Sequence, residues 1–183
     1  SLLKQNCSSP QSALRTLENK MLPRLIREED KQVCLDLIEL GKEINVPSKA
    51  IELLKLIKQS DEQAIVYSEY RTTIDLLADL LKEHNITVTT YHGALSSEQK
   101  QLSIEKFKNK DAQVFISSES GGQGLNLQFC HRLINYDLPW NPMRLEQRIG
   151  RIHRLGQEKD VMIYNFAIKN TVEEHILKLL YEK

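Results

Sequence analysis

Arg144, Gln147, Arg148, Arg151 and Arg154 recur at spacings that gather them on one side of a helix. At about 100° per residue they fall within one arc of roughly 120°. Leu145, Ile149 and Ile152 take a neighbouring arc that can face a core. Asn141 is a good N-cap, Pro142 suits the first helical position and Gly156 suits the residue past the end, so the spacing predicts a helix over about 142–155. Solvated helix faces usually mix signs, because like charges at i, i+4 repel by about a few tenths of a kcal/mol. Glu146, the only acid in this segment, points away from the arginines. Four guanidiniums on one face make sense where a polyanion supplies the missing charge, since each presents a planar donor fork matched to phosphate. The alternative is an exposed basic face closed by salt bridges within the chain.

Other residue types capable of chemistry are more ambiguous. Gly121, Gly122 and Gly124 could let backbone N–H groups approach a phosphate or could simply form a tight turn. They make neither a Rossmann fingerprint, since Leu127 stands where a third glycine belongs, nor a phosphate loop ending in Gly-Lys-Ser/Thr. His92 before Gly93 could contact a phosphate or satisfy a loop carbonyl. His84, His131, His153 and His175 lack metal-like spacing. Trp140, between Pro139 and Asn141, could anchor a core or stack on a ligand.

The elements that must position these residues alternate in type. Residues 64–68, 87–91, 114–117, 133–136 and 161–166 are short apolar or β-rich runs. Helical patterns separate several of them, over 72–84, from Ser96 with its capping partner Gln99 to about Lys108, and after Thr171 with Glu174. This order predicts an α/β fold, a mostly parallel sheet with helices on both faces. In such sheets ligands gather at the carboxyl ends of the strands. Ser68–Arg71, Tyr91–Gly93, Ser117–Leu127 and Asp137–Asn141 all fall there. Residues 1–60 read as a helical connector punctuated by Pro10, Pro23 and Pro47, with apolar stripes at Ala13, Leu14, Leu17 and Met21, at Val33, Leu37 and Leu40, and at Ala50, Leu53, Leu54 and Ile57 after a capping Ser48.

Composition sets outer bounds. The 183 residues include 25 basic and 25 acidic side chains, so the protein is not a generic basic nucleic-acid binder and phosphate recognition must be local. Cys7, Cys34 and Cys130 are odd in number and far apart, which argues against a disulfide framework or a zinc cluster. No apolar run approaches a membrane span and the start lacks a signal-peptide pattern, so a cytoplasmic location is expected.

Taken in order, Ser117–Leu127, then Asp137-Leu138-Pro139-Trp140-Asn141-Pro142, then Gln147-Arg148-Ile149-Gly150-Arg151-Ile152-His153-Arg154-Leu155-Gly156-Gln157 resemble the consecutive late motifs of the Swi/Snf-type DNA translocases, among the superfamily-two helicases. Val66-Tyr67-Ser68-Glu69-Tyr70 and Tyr91-His92-Gly93 resemble the earlier motifs of the same lobe. The resemblance covers roughly residues 60 to 183. Leu3-Lys4-Gln5 and Cys7-Ser8-Ser9-Pro10 also resemble the stretch leading into that lobe. The Leu-Pro-Trp-Asn-Pro wording is closest to bacterial members, which implies association with a nucleoid. Two departures stand out: Glu69 replaces a common glutamine, placing a negative charge near the expected phosphate path, and Ser120 replaces a common alanine.

The resemblance implies a RecA-like second lobe over 61–183, one half of a motor that binds ATP with Mg2+ between two lobes and lies on duplex DNA. No Gly-Lys-Ser/Thr loop or strand-borne Asp-Glu pair occurs here, so the nucleotide cradle would belong to a first lobe and the isolated chain is expected to be inactive. By the same resemblance Arg151 and Arg154 would reach the γ-phosphate, with Gln147, Gly122 and Gly124 also at the nucleotide. Ser117, Ser118, His92, Gly93 and the glycine loop would grip DNA phosphates, with Arg71 a further DNA contact. Trp140 and Asn141 would couple DNA contact to nucleotide state. A strand-separating or RNA helicase lobe, and a non-catalytic binding module holding an acidic partner, are the rival expectations.

Overall fold

The structure is a computed structural model and describes residues 1–118, 126–153, 157 and 159–181. Five strands form one sheet: β1 (Ala64–Tyr67), β2 (Val88–Tyr91), β3 (Val114–Ser117), β4 (Arg132–Asn135) and β5 (Met162–Asn165). Their order is β2-β3-β1-β4-β5, and every neighbouring pair is parallel. Parallel strands need crossovers, so all five carboxyl ends lie along one rim. With strands about 4.8 Å apart, that rim runs for roughly 19 Å.

Alternation along the strands divides the core in two. Ala64, Val66, Ile116 and Ile134 pack on one face against α4 (Ser48–Lys58) and α5 (Arg71–Glu83), through Leu53, Ile57, Ile74, Leu77 and Leu81. Ile65, Phe115 and Leu133 pack on the other face against Phe107 of α6 (Ser97–Lys108), Leu127 and Ile152. Each of the larger side chains among these contributes roughly 1.5–3 kcal/mol when fully buried. The sheet covered on both faces is thus the expected α/β architecture, with α7 (Pro142–Ile149) and α8 (Val172–Tyr181) completing the described helices after β3.

Before the sheet come α1 (Leu2–Ser8), α2 (Pro10–Thr16), a π-helical turn over Leu17–Met21, a 3₁₀ turn over Leu22–Arg24 and α3 (Glu28–Lys42). Pro10 sits in the first turn of α2, where its missing N–H costs nothing. The predicted Val33, Leu37 and Leu40 stripe does not face inward. Those residues are exposed, Leu40 by 62%, whereas Cys34 and Ile38 are buried against Leu17. The buried face is turned by one residue because Gly41 lies against Leu14: a Cβ at Gly41 would come within 2.5 Å of Leu14 Cδ2. Helix α3 therefore approaches along Cys34, Ile38 and Gly41, the line its smallest residue allows. A second correction concerns α4: Pro47, not Ser48, is its N-cap, and no side chain caps it.

Candidate nucleic-acid interface

Helix α7 begins as its residues dictate. Asn141 Oδ1 accepts from the backbone N–H of Met143 at 2.9 Å and Pro142 occupies the first turn. The end differs from the expectation. The helix stops at Ile149 with Gly150 as C-cap, and Gly156 lies outside the described residues. Two tertiary interactions require the turn: Ile152 enters the core beside Leu127 and Leu133, and the Arg151 carbonyl accepts from Leu127 N at 3.2 Å. Continuing the helix would withdraw both.

That turn splits the arginine stripe. Arg144 and Gln147 are exposed, and Arg151 is half-buried in the turn beyond the helix. Arg148 points inward, only 3% exposed. Its Nη1 donates at 2.8 Å to Asn135 Oδ1 and at 2.8 Å to the Asp137 carbonyl, and its guanidinium lies 5.0 Å from the Tyr67 ring centre. The single arc of four guanidiniums is thus corrected: Arg148 ties the ends of β1 and β4 together. Arg154, with Gly122 and Gly124, falls outside the described residues.

The rim carries the other predicted residues. At the ends of β2 and β3, His92, Ser117 and Ser118 are buried while Gly93 is exposed in a turn. Ser118 N donates to the Tyr91 carbonyl at 3.0 Å, joining the two strand ends, and the Ser117 hydroxyl donates to the Ser118 carbonyl at 3.1 Å. His92 Nδ1 has no hydrogen-bond partner among the described residues. Burial, and then the charge of nearby Arg71, push its pKa down, which keeps the imidazole neutral at pH 7. Arg71 opens α5 and pairs with Asp75 at 3.5 Å on the exposed surface. At the end of β4, Trp140 is 56% exposed, so it is not a core anchor.

Behind the rim lies a buried polar network that sequence reasoning missed. Asp137 Oδ2 accepts from Ser8 Oγ at 2.8 Å, Ser68 Oγ at 2.7 Å and Glu69 N at 2.8 Å. Lys49 Nζ lies 3.7 Å from Asp137 Oδ1, 2.6 Å from Glu173 Oε1 and 4.7 Å from the Tyr136 ring centre. Ser8 and Ser9 also bond Thr73, at 2.9 and 2.8 Å. Asp137 thereby joins α1, α4 and the ends of β1 and β4, and Lys49 extends the network to α8 through Glu173. Burial raises the Glu173 carboxyl above its ordinary value against the opposing pull of Lys49. A usable signal existed: Lys49 shares its helical face with Leu53 and Ile57, and Glu173 with Ile176 and Leu180, both apolar faces. Lys4 meanwhile pairs with Glu69 at 2.6 Å, both largely buried, and lies 6.0 Å from the Trp140 ring centre. The negative charge that Glu69 brings to the rim is neutralised inside the chain.

A five-stranded, all-parallel sheet with helices on both faces is the RecA-like α/β fold. The family described as Helicase conserved C-terminal domain matches residues 48–156, and the chain belongs to that family, as the C-terminal lobe of a Swi/Snf-type helicase. It is 48% identical over its whole length to an uncharacterized ATP-dependent helicase, YqhH, of Bacillus subtilis, of which it spans 33%. Helicase SWR1 of Saccharomyces cerevisiae is 32% identical across 98% of the chain, which spans 11% of that protein. The crystal structure of the C-terminal part of the Fun30 ATPase domain superposes with a TM-score of 0.65 at 22% identity, covering 98% of this chain and 66% of that one, a likeness of fold. Among the described residues no helix is long and apolar enough to cross a membrane.

Proposed function

We propose that this chain is the second motor lobe of a DNA-stimulated ATPase that translocates on duplex DNA and remodels protein–DNA complexes, with residues 1–60 as a helical connector docked on the 61–183 lobe. What carries this is the division of one continuous segment. Asp137 to Ile152 runs from the strand-end rim, where Trp140 is exposed, through α7, where Gln147 is exposed, to Arg151, half-buried past the helix end. A segment with one end at each ligand can convert nucleotide state into grip.

ATP with Mg2+ would be held mainly by a first lobe, and the γ-phosphate suits the donors offered here. Arg151 has its main chain fixed by Leu127, so its guanidinium can be presented without reordering the backbone. Arg151 and Arg154 would stabilise charge on the transferring phosphoryl group, with Gln147, Gly122 and Gly124 sensing the nucleotide. Ser117, Ser118, His92, Gly93 and Arg71 would hold backbone phosphates, which carry no sequence information and suit tracking. Trp140 and Asn141 sit at the hinge between the two duties. Opening and closing of the lobes would then move the grip along the duplex, and such tracking would keep the protein on the nucleoid. Without the first lobe the 183-residue chain would show no steady turnover.

The test is ATP turnover by the full-length protein with no nucleic acid, duplex DNA, single-stranded DNA or RNA. Duplex DNA should stimulate most. Preference for single strands or RNA would favour a strand-separating or RNA-directed helicase, and indifference to all three would favour a binding module.

A further inference from the structure

A groove of about 510 Å³ lies beside the rim, between the N-terminal helices and the start of α5. Arg15, Asn19 and Lys20 line one wall, and Tyr70, Arg71 and Thr72 line the other. Three of its side chains are cationic, and no acid is among its lining residues. Arg15 Nη1 donates to the Thr72 hydroxyl at 3.3 Å, a neutral acceptor that fixes the guanidinium without cancelling its charge. Asn19 donates to the Arg15 carbonyl at 3.0 Å, tightening the same wall. Neither Arg15 nor Lys20 has a carboxylate partner among the described residues. Glu18, the acid nearest in sequence, lies 3.5 Å from Lys42 of α3 instead.

The wall is fixed to the rim. Lys4 to Glu69 and Ser8 to Asp137 join α1 to the strand ends, and Ser8 and Ser9 to Thr73 join α1 and the cap of α2 to α5, through bonds of 2.6–2.9 Å. Arg15 and Lys20 therefore keep a set place beside Arg71 in the walls of the groove. Arg71, a predicted DNA contact, is itself a lining residue, so the groove adjoins the rim.

We propose that this groove binds backbone phosphates of the duplex, with Arg15 and Lys20 carrying the DNA track off the sheet and onto the N-terminal helices. The inference rests on the duplex-tracking function proposed above. It places cationic groups outside the strand-end loops, in a protein whose 25 basic and 25 acidic side chains balance overall. Every phosphate that a cation of the groove neutralises steepens the fall of log affinity with log salt by about one unit.

The experiment measures binding of the full-length protein to a labelled duplex of random sequence by anisotropy, over a series of salt concentrations. Wild type is compared with the Arg15→Ala/Lys20→Ala double variant and with a charge-conserving Arg15→Lys/Lys20→Arg variant, with thermal unfolding recorded for all three. The alanine variant should bind about tenfold or more weakly with its salt slope reduced by about two, while the charge-conserving variant stays within about threefold of wild type. Alanine variant affinity and slope equal to wild type would overturn the groove and leave duplex tracking standing, as would equal weakening in both variants. A wild type without salt-dependent duplex binding would remove the underlying function and this inference with it.

Discussion

Arg148 and Arg151 stand three residues apart in one basic segment and do opposite work. Arg148 is enclosed between Tyr67, Asn135 and the Asp137 carbonyl, where every donor it commits is spent inside the fold. Arg151 lies past the helix end, held by its carbonyl to Leu127, and its side chain is not what fixes it there. A guanidinium over a strand end finds carbonyls and becomes a structural tie. Past the Gly150 cap it is half-buried, and the proposed function gives it a phosphate to meet. The same contrast holds for the lysines: Lys49 is buried between Asp137 and Glu173, whereas Lys20 lines an open groove.

Substitutions on the buried side should cost stability and those on the open side should not. The largest loss is expected for Lys49→Met, which leaves Asp137 and Glu173 buried without their cation: about 3–5 kcal/mol by urea unfolding. Adding Glu173→Gln should recover part of that loss, and full additivity would mean the two do not interact. Arg148→Met should cost about 3 kcal/mol, because two acceptors at the strand ends lose charged donors. A smaller, pH-dependent effect belongs to Glu173. Its folded pKa is raised, so its contribution is fully present below the ordinary carboxyl value of 4.5 and is lost as pH rises through the raised value. Stability measured from pH 4 upward should fall less steeply in Glu173→Gln than in wild type; equal slopes would contradict the assignment. The smallest change is expected for Trp140→Ala, within about 0.5 kcal/mol of wild type by the same measurement.

What could be read in the sequence was local. Asn141 and Pro142 start a helix through their own side-chain and ring chemistry, Ser96 and Gln99 close a capping box, and short apolar runs place β1, β3 and β4 within a residue of their observed bounds. What could not be read depends on partners distant in sequence. Gly156 and Gly150 are equal as stop signals, and only the positions of Leu127 and Leu133 make Gly150 the end. Arg148 and Arg151 are alike by residue type, and only the ends of β1 and β4 capture one of them. Val33, Leu37 and Leu40 form as good a stripe as Cys34 and Ile38, until Gly41 finds Leu14. Trp140 offered no local signal either way, and its exposure follows from the loop that Asp137 anchors.

The most direct test is the turnover number of full-length Arg151→Ala at saturating ATP and duplex DNA, with unfolding measured alongside. The Arg151 backbone, not its side chain, bonds Leu127, so the variant should unfold like wild type while turnover falls by about 10³ or more. Turnover within about threefold of wild type, or a loss matched by unfolding as in Arg148→Met, would contradict an arginine acting on nucleotide across the lobe interface.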